Sequence, residues 1–366
     1  MNYEIENTDD IISPSLIYYL DAIKSNITEI IRVAGDKDRL WPHVKTYKCI
    51  RMVELLMSYG IKKFKAATIA EAEMCAMAGA DKVVLAYPLV GPNMRRLINL
   101  AKSYPATEFY AIEDDYNQFE LLSDTCCKLD FRLKCLVDVN PGLNRTGVSL
   151  NQTTDFYQKV SGLRNIELVG LHVYDGNHNN PDAALRTKEV QLLDQDLVKI
   201  VNQIKEKGLD CSIVIAGGTP EFPCHSEHSQ WYLSPGTSFI NDAGYAHNFK
   251  DLKCVPGAAI MTRVISRPAE GYFTLDLGYK GIAADPPGQR GVIVGYEDAE
   301  QIMQNEEHWV WKLNDLSRVP TIGDVVYVIP VHICPTTALY PEVLIAQDGK
   351  IIDHWQVTAR NRRINF

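Results

Sequence analysis

The chain has 366 residues, of which 46% are hydrophobic and 23% charged, and its formal net charge is −9. That length supports a large core and two domains, and the composition is ordinary for a globular protein. The acidic balance argues against a general attraction to nucleic acid or anionic lipid, so any phosphate must be held by local groups.

Residues 1–20, including SPSLIYYL, precede the first repeat and are expected to pack on a C-terminal β-domain. From about residue 41 to 242, β-rich apolar runs alternate with helical patterns. The strands fall at 41–47, 63–67, 82–88, 107–113, 131–139, 166–174, 211–216 and 231–240. Between them, segments such as TIAEAEMCAMAGA (68–80) and 185–208 carry apolar residues at helical spacing, the second ending in Gly208. KVVLAYP and FRLKCLVDV are near-continuous apolar runs, the pattern of parallel strands covered on both faces. Eight βα repeats in this span predict a (β/α)8 TIM barrel over 21–250. A doubly wound sheet is the rival, but it gathers its ligand at one switch point. Over 251–366 the period shortens to alternating runs (FTLDLG, GVIVGY, DVVYVIP, LIAQDGKIIDHWQV) with a hairpin turn at Asp348-Gly349. A small all-β domain is expected there, with one helix at 297–306.

Nine cysteines, an odd number without a CxxC pair, predict free thiols and a reducing, cytoplasmic setting. The acidic N-terminus MNYEIENTDD is unlike a signal peptide, and no apolar run is long enough to span a bilayer.

The unusual polar residues cluster on this strand map. Lys45 ends the first strand, within Trp41-Pro42-His43-Val44-Lys45-Thr46-Tyr47-Lys48. Arg145 follows the fifth, Tyr174 ends the sixth, Gly217-Gly218-Thr219 follow the seventh, and Ser234-Pro235-Gly236-Thr237 lie in the eighth. All are expected at the C-terminal mouth, where such barrels place their chemistry. The loops after strands seven and eight are the usual phosphate site. There the glycines let backbone N–H groups approach an anion and Thr219 adds a hydroxyl. A lysine and a phosphate cradle at one mouth suggest pyridoxal phosphate (PLP). An H-x-C element, His332-Ile333-Cys334, read as a strand, would point imidazole and thiol to one face and suit a zinc ion. His225 and His228, one helical turn apart, read as a surface pair. His172 could line the mouth beside Tyr174, His178 sits on a polar loop, and Trp309 and Trp311 read as core.

Eight pieces in order, PHVKTYK, TIAEAEMCAMAGA, LVDVNPGLNRTGV, GLHVYDG, AGGTP, LSPGTSFIND, PVHICPTTALYP and WQVTAR, span nearly the whole chain. Together they resemble the alanine-racemase-type (fold type III) PLP enzymes, in the branch of D-threonine aldolases and D-serine dehydratases. The resemblance implies that Lys45, not Lys48, is the Schiff-base lysine. It sets Arg145 at the cofactor ring or its phenolic oxygen and Tyr174 beside the ring. Gly217, Gly218, Thr219, Gly236 and Thr237 would hold the phosphate, and His332 and Cys334 a divalent metal (zinc, or manganese or magnesium). It implies a homodimer acting on a small D-amino acid, a 3-hydroxy one. Tyr47 and Trp41 depart from the family's usual histidine and arginine and bear on substrate contacts.

Two reactions remain open: retro-aldol cleavage to glycine and an aldehyde, favoured by VYDG and YPLVGP, and loss of water from D-serine or 3-hydroxyaspartate, favoured by H-x-C. An amino-acid racemase would need a second tyrosine motif in the β-domain that the chain does not match. A non-catalytic PLP-binding protein would lack the β-domain. A metal-only barrel hydrolase would need more ligands at the strand ends.

Overall fold

The computed structural model describes residues 1–366. The chain forms two compact units. One comprises Ile30–Lys45, Ile50–Gly236 and Asn361–Phe366, the other Met1–Glu29, Thr46–Cys49 and Thr237–Arg360.

The first unit is a curled parallel sheet. Its strands Lys63–Ala66, Lys82–Leu85, Glu108–Glu113, Leu133–Asn140, Ile166–Val173, Ile213–Ala216 and Tyr232–Leu233 neighbour one another in chain order. The expected strand 41–47 is reduced to two isolated parallel bridges, Leu40 with Leu233 and His43 with Lys65. Trp41 N–H donates to Leu233 O (2.8 Å), His43 N–H to Pro235 O (3.0 Å) and Lys65 N–H to Pro42 O (2.8 Å), which closes the ring. Pro42 has no N–H to extend a ladder, and the chain instead turns through a 3-10 helix, Val44–Thr46. Pro235 and Gly236 shorten the expected strand 231–240 in the same way, leaving Tyr232–Leu233 and a separate 3-10 turn at Thr237–Phe239. Trp41, Val84, Tyr110, Ile112, Leu136, Val169, Ile213 and Ile215 pack together as the core of this sheet. Trp41 and Tyr47, the two departures, are fully buried.

Helices connect the strands and start where the sequence supplies caps. Thr68 accepts from Glu71 N–H (3.1 Å), and the Glu71 carboxylate reaches back to Ala67 N–H (2.6 Å), a capping box for Ile69–Met77. Asp182 caps the long helix Ala183–Glu206, and Gly208 leaves it at φ +72°. Gly170 allows the closest strand approach: a Cβ there would lie 1.7 Å from Ile213 O.

The second unit is a mixed sheet system in the order Glu300–Gln304, Trp309–Lys312, Tyr272–Leu275, Ala258–Ser266, Ser15–Tyr19, Glu342–Gln347, Lys350–Gln356. Val325–Pro330 pairs with both Ala258–Ser266 and Gly291–Ile293. Ser15–Tyr19 lies at the centre, antiparallel to Ala258–Ser266 and parallel to Glu342–Gln347. The hairpin turns at Asp348 (φ +49°) and Gly349 (φ +75°), the left-handed pair that a two-residue turn requires. The helix expected at 297–306 is instead the strand Glu300–Gln304, paired with Trp309–Lys312. Its apolar residues had suggested a helix, but cross-strand pairing decides the conformation of so short a segment. Trp309 and Trp311 are buried against each other, ring centroids 4.7 Å apart. All nine cysteines are free.

Candidate active site

In the barrel unit three cations surround one aromatic ring. Lys45 Nζ lies 5.9 Å from the centroid of Tyr174, Lys65 Nζ lies 5.8 Å from it, and the Arg145 guanidinium carbon 4.6 Å. Lys45 is held on the 3-10 turn after the closing bridges rather than on a strand. Tyr174 follows the strand Ile166–Val173 directly. Its ring fits because two neighbours lack a Cβ, which at Gly176 would lie 2.6 Å from Tyr174 Oη and at Gly218 3.0 Å from Tyr174 Cε2.

The glycine loop follows the strand Ile213–Ala216. Gly217 is left-handed (φ +81°), and a Cβ there would crowd Phe222 Cα at 3.0 Å and His225 Cδ2 at 3.2 Å. Gly236 N–H donates to Thr219 Oγ1 (3.3 Å), which ties the seventh loop to the eighth. Gly218 N–H donates to Glu221 Oε2 (3.0 Å). The buried Ser234 hydroxyl has no hydrogen-bond partner. A glycine turn, a threonine hydroxyl and an orphaned serine hydroxyl together fit a phosphate group, although two of the candidate N–H donors already have acceptors.

Two buried polar networks support these loops, and sequence reasoning recognised neither. In the first, His172 Nδ1 lies 2.7 Å from Asp138 Oδ1 and His172 Nε2 lies 3.5 Å from Lys65 Nζ. Burial lowers the imidazole below its usual range despite Asp138. Burial, reinforced by the Lys45 charge, pulls the Lys65 amine down to about 7. In the second, His225 Nε2 meets Asp175 Oδ2 (2.9 Å) and His225 Nδ1 meets Asp194 Oδ1 (2.7 Å). His225 is therefore not part of a surface pair: it is fully buried. Burial alone would depress it, but the two carboxylates outweigh that and raise it to about 10. His228 stays half-exposed, 3.0 Å from Asp194 Oδ2 and stacked on Trp231 at 4.1 Å. Glu221 is raised to about 8 by burial and then by the Asp175 charge. The signal that could have found Asp138 was a carboxylate inside the apolar run of its strand; Lys65, one of two lysines in the four-residue strand Lys63–Ala66, gave no such signal.

In the second unit, His332 and Cys334 do not lie on a strand. His332 is the N-cap of the helix Ile333–Leu339 and Cys334 lies in its first turn, so strand alternation does not bring them together. Asp242 fixes this turn by accepting from Ile333 N–H (3.0 Å) and Tyr245 N–H (2.8 Å). Burial would lower the His332 imidazole, but Cys334 and then Asp285 raise it to about 9. Asp285 Oδ2 lies 2.5 Å from His332 Nδ1, the kind of outer contact that orients a ligating imidazole, and the ring also hydrogen-bonds Cys334. Cys334 Sγ lies 3.1 Å from Thr46 Oγ1 and 3.3 Å from Thr237 Oγ1. No group of three or more His, Cys, Asp or Glu side chains converges as a metal site. An imidazole and a thiol fit an open site that water or substrate completes, not a closed structural one. His178 sits on the loop after the sixth strand, 3.9 Å from Glu189.

Residues 19–241 match the family described as alanine racemase, N-terminal domain, and residues 257–346 match the putative serine dehydratase domain. The chain is 24% identical over 356 residues to a D-threonine aldolase of an Arthrobacter species, covering 95% of this chain and 92% of that one. It is also 24% identical over 368 residues to a 3-hydroxy-D-aspartate aldolase of Paracoccus denitrificans, covering 96% and 93%. The crystal structure of a D-threonine aldolase from Filomicrobium marinum superposes with a TM-score of 0.89 at 25% identity, covering 98% of each chain. With over half its length matched by the first of these families and most of the remainder by the second, the chain belongs to the alanine-racemase-type, fold type III PLP enzymes, in the D-threonine aldolase and D-serine dehydratase branch.

Proposed function

We propose that the protein is a PLP- and divalent-metal-dependent lyase of 3-hydroxy D-amino acids, cleaving them by a D-threonine-aldolase-type reaction to glycine and an aldehyde. The observation that carries this is the grouping of Lys45 and Arg145 around the Tyr174 ring in the barrel unit. Full-length likeness to two aldolases supports it.

When bound, PLP supplies an aldehyde for an amine and a ring that accepts electrons released at Cα. Lys45 is the amine that holds it. Arg145 and Tyr174 orient the ring, and Gly217, Gly218, Thr219, Ser234, Gly236 and Thr237 hold the phosphate. His332 and Cys334 would hold a divalent ion, which would supply a Lewis acid for a hydroxyl group. Imidazole with thiol favours zinc over manganese or magnesium.

A second reading, elimination of water from D-serine or 3-hydroxyaspartate to a keto acid and ammonia, is favoured by the thiol at Cys334. Product analysis with D-threonine, D-serine and D-3-hydroxyaspartate separates the two. Glycine plus an aldehyde is expected; a keto acid plus ammonia would replace the first reading by the second. Lys45→Ala should lower either activity by at least about 10³-fold, and a variant retaining more than a tenth would remove Lys45 from its role. Nine free thiols suit a cytoplasmic setting. The family resemblance supports a homodimer, which sedimentation of the active protein as a monomer would contradict.

A further inference from the structure

Lys65 is the residue least explained by the fold. It occupies a central position in the strand Lys63–Ala66 and is only 3% exposed. A methionine or leucine would satisfy that strand and would not place a charge in the interior. Its strand neighbour Lys63 has a separate environment, donating to Asp38 O and lying over the Tyr232 ring. Lys65 instead extends to within 5.8 Å of the Tyr174 ring centroid, as near as Lys45 does.

The way Lys65 is held allows it to change protonation without moving. His172 is buried and disfavoured as a cation, so its Nδ1–H donates to Asp138 and its Nε2 lone pair faces the Lys65 amine. An ammonium and a neutral amine both have an N–H to give to Nε2. The charged groups that act on this amine are Lys45 from the closing turn, Arg145 and Asp138 from the fifth strand and its loop, and Asp175 from the loop after the sixth strand, with the His172 imidazole in contact with it. The charges of Lys45 and Arg145 oppose a positive charge on Lys65, and those of Asp138 and Asp175 favour it.

We propose that Lys65 is a positioning residue for the cofactor: a second amine at the Tyr174 ring, held against His172, which Asp138 orients, and its protonation state sets the charge beside the bound ring. This rests on the PLP reading of the site above.

The test follows bound-cofactor absorbance and kcat/KM against pH in the holoenzyme and in Lys65→Met and Lys65→Arg. Competitive acylation of every lysine in the wild-type protein, read by mass spectrometry, runs alongside. An inflection near pH 7 is expected in the wild type. Lys65→Met should abolish it, and Lys65→Arg should hold the spectrum in its acid form across the range. In the acylation profile Lys65 should titrate more than about one pH unit below the surface lysines. An inflection that survives in Lys65→Met, or a Lys65 acylation profile like that of a surface lysine, overturns the proposal. If borohydride fixes no pyridoxyl group, the PLP reading fails instead, and the acylation profile still decides the titration of Lys65. The acylation arm uses wild-type protein, so a variant that fails to fold does not remove the test.

Discussion

His225 has both ring nitrogens on carboxylates, and its ring packs against the Gly217 turn. Its folded-state value of about 10 stands above the 6.5 of a free imidazole. A raised value contributes stability that is fully present below about pH 6.5 and is lost as pH rises through about 10. His225→Gln strands Asp175 and Asp194 and should cost about 3–5 kcal/mol near pH 6. Urea unfolding of wild type and variant should show that gap shrinking toward pH 10; a gap that grows with pH would mean the imidazole is neutral in the folded protein. The contrast with Lys45 shows what single residues reveal in a sequence. Lys45 was legible because glycines, Arg145 and Tyr174 recur at the ends of later strands. Lys65 and His225 were not, since a lysine between apolar residues and a histidine seven residues past a glycine turn read alike whether exposed or buried. Only the closing of the ring brings Asp138, Asp175 and Asp194 onto them.

At the scale of the element, the alternation of strands and helices was readable because burial on both faces leaves nearly continuous apolar runs in the parallel strands. What was not readable was the conformation of short segments decided by their surroundings. Pro42 turns the first stave into two bridges and a 3-10 turn, and pairing turns 300–304 into a strand. The expectation for His332 and Cys334 had the element wrong: a helix start, pinned by Asp242, carries them instead of a strand. That geometry gives Asp285 a definite task, because its contact with His332 Nδ1 orients the imidazole. Asp285→Ala should weaken zinc binding about 10–100-fold, measured by competition with a chromophoric chelator. Unchanged affinity in a folded variant would detach Asp285 from the metal, and no zinc binding by the wild type would remove the metal role of His332 and Cys334.

At the scale of the whole molecule, the chain joins a curled parallel sheet to a second sheet system whose central strand, Ser15–Tyr19, comes from the start of the sequence. Its relatives are matched over nearly their full length, so the combination of the two units is itself a family trait. The proposed function requires this barrel to hold PLP on Lys45. The direct measurement is borohydride reduction of the PLP-loaded protein followed by peptide mapping. One pyridoxyl group per chain is expected, on the peptide containing Lys45, and none in Lys45→Ala. A pyridoxyl group on Lys48 or Lys65 instead, or no fixed pyridoxyl at all, would contradict it.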